Sequence, residues 1–203
     1  MHWTPTTAGR ALTWALLLAL AICGEAQAFD FKGLVLGEPI TPAEVEARLN
    51  TGCKGRDNKP CDSIDSMLYD KGRIRCGEGW EGAQVCNGTT TAAGYPADVN
   101  IVIGANGALR RVYLTRLDPD GFDAIRQEIT AKFGAPKSTA APVLRNAFGA
   151  TFRQAEVTWT DAKRRHVTLS KYAGTTEAGS LLFATPEDRI ATERAKKGKT
   201  GDL

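Results

Sequence analysis

Apolar and polar residues alternate in some stretches of this chain and recur at helical spacing in others, which predicts strands and helices in one fold. From Val99 to Leu117 the period is two: Val99, Ile101 and Ile103 share a side, Asn106-Gly107 suits the positive φ of a tight turn, and Leu109 to Thr115 returns rich in β-branched and aromatic residues. Thr151 to Thr160 alternates with Ala155, Val157 and Trp159 inward; Asp161 to Arg165 turns the chain, and His166 to Tyr172 follows with Val167 and Leu169 inward. Leu181 to Ala184 predicts a last strand, and Phe31, Leu34 and Leu36 with Gly33 and Gly37 predict a short opening one.

The helical stretches carry their own boundaries. Thr41-Pro42-Ala43-Glu44 is a capping box with proline at the first helical position, Ile40 can staple onto Val45, and a helix of about nine residues follows with Val45 and Leu49 on one face. Asp118 caps a second helix in which Phe122, Ile125, Ile129 and Phe133 recur, ended by Gly134 and Pro136. Thr185-Pro186-Glu187-Asp188 starts a third, and the basic tail ending Lys196-Lys197-Gly198-Lys199 is expected to be disordered. Tight turns force antiparallel pairing. The expectation is therefore an α+β fold, an antiparallel sheet with helices packed on one face, over residues 29–185, with 186–203 as helix start and tail. The two halves each read as a helix followed by a meander, the first interrupted by the cysteine segment, which resembles an imperfect duplication without amounting to a sequence repeat.

Residues 1–28 change the setting. Arg10 precedes the apolar stretch Ala11 to Cys23, and Ala26-Gln27-Ala28 offers a signal peptidase its small residues, so cleavage is expected before Phe29. Thirteen residues at about 1.5 Å each fall short of the ~30 Å hydrocarbon core, and no later segment is long and apolar enough to span one. Ile22 ahead of Cys23 argues against lipoprotein processing. The mature chain then carries 25 basic and 22 acidic residues, a net charge of +3 too mild and too dispersed for a dedicated nucleic-acid binder. A periplasmic or secreted location follows.

In that oxidising setting Cys53, Cys61, Cys76 and Cys86 read as disulfides within a cysteine-rich loop segment, 52–87, inserted into the fold. Short loops favour Cys53 with Cys61 and Cys76 with Cys86; the crossed pairings stay open. The cysteines lack the C-x-x-C spacing of zinc or redox sites, so no metal is expected. His166 is the sole histidine of the mature chain and alternates onto the solvent face, beside Lys163, Arg164 and Arg165. No serine sits in G-x-S-x-G. Gly77-Glu78-Gly79-Trp80-Glu81-Gly82 matches a dinucleotide fingerprint by letter, but lacks the strand and helix that motif needs and carries two glutamates that repel phosphate, so no cofactor is expected. Asp118-Pro119-Asp120-Gly121-Phe122-Asp123 is better explained by helix capping than by calcium. What remains is a surface: the cationic tip Lys163, Arg164 and Arg165, and Trp80 exposed in a bridged loop, with Tyr113 and Tyr172 on the non-core face of the sheet.

The phrases Phe31-Lys32-Gly33-Leu34 through Leu36-Gly37, Gly94-Tyr95-Pro96-Ala97 and Lys132-Phe133-Gly134-Ala135-Pro136, with the capped helix and four cysteines, resemble a broad group of uncharacterised secreted proteobacterial proteins over most of the mature chain. The helix ending in Gly-Ala-Pro before a meander is similar, more loosely, to the β-lactamase inhibitor protein fold and to the small outer-membrane assembly lipoproteins. That resemblance implies a non-catalytic surface presented to a protein. The expected function is thus binding to a protein or an anionic cell-envelope component. The alternatives are a small envelope hydrolase using carboxylates with His166 in support, and a structural component whose Lys196–Lys199 tail touches anionic lipid.

Overall fold

The computed structural model describes residues 28–51, 73–145, 149–173 and 176–199. The leader and the pair Cys53 and Cys61 lie outside the described residues. A two-stranded hairpin, β1 (Asp30–Phe31) and β2 (Leu34–Val35), leads into helix α1 (Pro42–Asn50). The capping box forms as its sequence predicts: Glu44 N–H donates to Thr41 Oγ1 at 3.3 Å and Thr41 N–H to the Glu44 carboxylate at 2.8 Å.

The main sheet has eight antiparallel strands. Its first half is β3 (Arg75–Glu78), β4 (Gln84–Ala92), β5 (Tyr95–Ile103) and β6 (Leu109–Leu117), each paired with the next. Helix α2 (Phe122–Phe133) follows, then β7 (Ser138–Ala140), a separate hairpin of β8 (Val143–Arg145) and β9 (Thr151–Arg153), and β10 (Glu156–Thr160), β11 (His166–Ser170) and β12 (Gly179–Ala184). The spatial order is β3-β4-β5-β6-β12-β11-β10-β7. Each half is therefore a helix and four sheet strands, and the halves meet where β6 pairs with β12.

Two strands occupy what reads in sequence as a cysteine-rich loop. Asn87, Gly88 and three threonines give β4 little apolar signal, yet it pairs with β5 from Gln84↔Ile103 to Ala92↔Tyr95, and the partner strand supplies the order its own composition lacks. Cys76 and Cys86 sit opposite one another in the β3–β4 register, Cα atoms 3.9 Å apart, and are disulfide-bonded. Gly88 has a local reason: a Cβ there would lie 2.6 Å from the Arg73 carbonyl oxygen, where the incoming chain crosses close above the strand. The long strand expected over 151–160 is split. Gln154 points inward, its side chain holding Tyr172 N–H at 2.8 Å and donating to the Tyr172 carbonyl, and β9 pairs with β8 outside the main sheet.

One face of the sheet carries the core. Cross-strand rows such as Ile101, Val112, Phe183, Val167 and Trp159 are buried, and α1 adds Val45 while α2 adds Phe122, Ile125 and Ile129. Trp159 Nε1–H donates to the Gly134 carbonyl at 3.0 Å, satisfying the indole in the core and one orphan carbonyl at the end of α2. The helices do not all share that face. Helix α3 (Pro186–Lys199) begins beside Arg111, whose side chain alternates away from buried Val112. Its backbone is helical through Lys199 where a disordered tail is expected; the Thr185 cap and first-turn acids, with Ala and Lys that favour helix, account for the extension. No helix among the described residues is long and apolar enough to cross a membrane.

Candidate functional site

Four chain reversals meet at one end of the sheet: the β3–β4 loop with Trp80, the β5–β6 turn, the exit from β12 into α3, and the β10–β11 loop with Lys163 to Arg165. Between them lies a cavity of about 770 Å³.

The Trp80 loop is short and constrained. Trp80–Gly82 form a 3-10 turn in which Glu81 (φ 57°) and Gly82 (φ 73°) are left-handed, and Gly79 N–H bonds the Ala83 carbonyl at 2.8 Å. The Gly-rich letters thus close a β-hairpin, not a phosphate cradle. The turn leaves the Trp80 side chain 93 % exposed, the most exposed large apolar group among the described residues. Glu81, the next residue, lines the cavity.

The β10–β11 loop divides the three expected cations. Arg164 N–H bonds the Asp161 carbonyl at 3.0 Å and Arg164 itself is left-handed (φ 61°), so Lys163 and Arg164 project into solvent. Arg165 corrects the expectation of a three-residue cationic tip. It is 5 % exposed; its Nε donates to Asp161 Oδ2 at 2.5 Å and its guanidinium to the Leu36 carbonyl at 2.6 Å. Alternation explains the burial: the residue before half-buried His166 and two before core Val167 turns inward, and a carboxylate four residues earlier neutralises it. Its guanidinium locks the loop to the N-terminal segment and lines the cavity as a paired charge.

Arg110 and Arg111 complete the wall. The β5–β6 register shifts between Val102 and Ile103, so Val102 faces Arg111, Ile103 faces Leu109, and Arg110 is the extra residue of a bulge. Arg110 lines the cavity and reaches the Glu187 carbonyl at 3.4 Å, while the Nε atoms of both arginines are buried without a partner. Glu38, Glu81 and Glu187 line the same space as Arg110, Lys163 and Arg165, so its charges are of both signs. Ile190 of α3, 45 % exposed, adds an apolar wall.

His166 does not join this cavity. Arg111, Ala184 and His166 are neighbours in one cross-strand row, and the small Ala184 leaves a socket between the larger two. Asp188, in the first turn of α3 and 6 % exposed, stands 3.7 Å from Arg111. Burial pushes its carboxyl above the ordinary range, opposed by Arg111, Arg110 and His166; burial also pushes His166 down, aided by Arg189 and opposed by Asp188. The expected solvent face is thus roofed here by α3. Tyr113 lies on that face, whereas Tyr172 stacks edge-on against Phe152 at 5.6 Å in the separate region of β9. Among the described residues no group of three histidines, cysteines or carboxylates could hold a metal ion.

Sequence reasoning singles out Trp80, Lys163 and Arg164 at this end of the sheet and misses Arg110, Glu38, Glu187 and Ile190. The consecutive Arg110-Arg111 after Leu109 is the one readable sign, since two long cations in succession break the strand's alternation. No family model, curated protein or solved structure significantly matches the chain.

Proposed function

We propose that this chain is an exported, non-catalytic binding module that grips a partner protein with the loop end of its sheet. The observation that carries the reading is Trp80: a large side chain 93 % exposed at the tip of a hairpin whose strands a disulfide joins, beside a cavity. An indole so exposed is costly in water, and with only two side-chain torsions it loses little freedom on docking. Lys163 and Arg164 stand across the same end, and Ile190 extends the apolar contact. Charges of both signs suit the mixed surface of a protein better than a uniformly anionic polymer. Export rests on the leader, and the Cys76–Cys86 bond accords with an oxidising compartment. The resemblance to inhibitor and assembly proteins that act on other proteins points the same way.

A photo-crosslinking side chain placed at Trp80 or Lys163 should give a discrete adduct in cell-envelope extract, absent when the probe replaces Gln127 on the exposed side of α2. Trp80→Ala should weaken capture of that species by roughly thirtyfold, about 2 kcal/mol, as hot-spot tryptophans do. Adducts equal at all three positions, or none at any, would end this reading.

A further inference from the structure

The opposite end of the molecule holds a second cleft, of about 400 Å³, between the β1–β2 turn, the β4–β5 turn and α2. Its floor is apolar: Phe31, Ile129, Phe133, Leu181 and Phe183 line it, with the Phe133 and Phe183 rings 6.5 Å apart and Phe31 and Phe183 5.7 Å apart. The volume is in the range of small-molecule sites, and a few polar groups gather at its mouth.

Those groups are unequal. Lys132 is neutralised, its Nζ 2.8 Å from Asp30 Oδ2. Lys32 is not: its Nζ donates to the hydroxyls of Thr90 at 3.0 Å and Thr91 at 3.2 Å, and among the described residues no carboxylate forms an ion pair with it. Glu128 attracts it from α2 without hydrogen bonding to it, and that carboxylate is exposed, so solvent screens it. Partial burial pushes the Lys32 ammonium below its ordinary range, while the residue as a whole stays exposed at the mouth of the cleft. The backbone adds a hint. Lys32 and Gly33 form the two-residue β1–β2 turn with φ of 49° and 78°, a geometry that favours Asn, Asp or Gly at its first position. A lysine held there at a conformational cost directs its ammonium over the apolar cleft.

We propose that this cleft binds a single-chain fatty carboxylate, its alkyl chain along Phe31, Ile129, Phe133 and Phe183 and its carboxylate on the Lys32 ammonium and the Thr91 hydroxyl. Each methylene taken from water contributes to holding the chain, and the ammonium, held by two threonine hydroxyls and, among the described residues, by no carboxylate, selects the sign of the head group. This site is independent of the loop end and makes no use of Trp80.

Calorimetric titration of the protein with dodecanoate, kept below its micelle-forming concentration, tests the assignment against neutral dodecanol and against phosphatidylglycerol vesicles. Saturable dodecanoate binding is expected. Lys32→Asn keeps a residue that tolerates the left-handed turn while removing the cation, and should weaken dodecanoate at least tenfold with dodecanol unchanged. Glu128→Gln removes the opposing charge and should tighten dodecanoate two- to threefold. Absence of saturable binding, equal dodecanoate affinity in Lys32→Asn, or binding to vesicles alone would overturn the proposal.

Discussion

Arg165→Ala isolates the charge that holds the β10–β11 loop to the body of the protein. The pair with Asp161 is buried on both sides, side chains 6 % and 5 % exposed, and the same guanidinium donates to the Leu36 carbonyl at 2.6 Å. Removing the arginine leaves a carboxylate in a dry site and an unpartnered carbonyl. Loss of one partner of a buried pair costs about 3–5 kcal/mol. In a chain of this size that lowers Tm by roughly 6–20 °C. Lys163→Ala, two residues away and exposed, should stay within about 0.5 kcal/mol of the parent. Urea unfolding followed by tryptophan fluorescence and far-UV circular dichroism measures both. Asp161→Ala should cost a similar amount to Arg165→Ala, and the double variant should cost less than their sum by at least about 2 kcal/mol, since one loss already removes the pair. An Arg165→Ala variant as stable as Lys163→Ala, or additive losses in the cycle, would show that the pair does not anchor the loop. Binding by the loop end is therefore best probed with Lys163 and Arg164, because a change at Arg165 alters the scaffold along with the surface.

Two further outcomes follow from the packing. Replacing Cys76 and Cys86 together by alanine opens a loop of sequence separation 10 and should remove about 2–3 kcal/mol; a loss under about 1 kcal/mol in urea unfolding would mean that α1, whose Glu46 accepts the Cys76 N–H at 2.8 Å, already holds β3 in place. His166, held below its ordinary 6.5 by burial and by Arg189, refuses a proton that the unfolded chain accepts, so it makes stability fall as pH drops below about 6.5. Asp188, raised above its ordinary 3.8, acts with the opposite sign, recovering stability as pH falls through its folded value. The stability advantage of the parent over His166→Asn should accordingly shrink on mild acidification, and an imidazole seen by NMR to titrate above 6.5 would contradict the placement of that ring under α3.

Elements whose signals are local were readable from the residues alone. The Thr41–Glu44 box, the Phe122–Phe133 spacing with Gly134, and the Asn106-Gly107 turn each depend on residues within a few positions, and each formed. The core side chains of the alternating strands were legible for the same reason, since Val157, Trp159, Val167 and Leu169 show their period without any partner. The remaining features depend on contacts between distant parts of the chain. Strand β4 exists because β5 pairs with its whole length, Arg165 is buried because Asp161 and the Leu36 carbonyl neutralise and hold it, and His166 is roofed because Ala184 leaves a socket that Asp188 enters from α3. The physical reason is common to all three. The free energy of a polar or charged side chain depends on the groups that surround it, and here those groups are brought in from other strands, from a neighbouring turn or from a helix whose start is legible locally but whose position over the sheet is not.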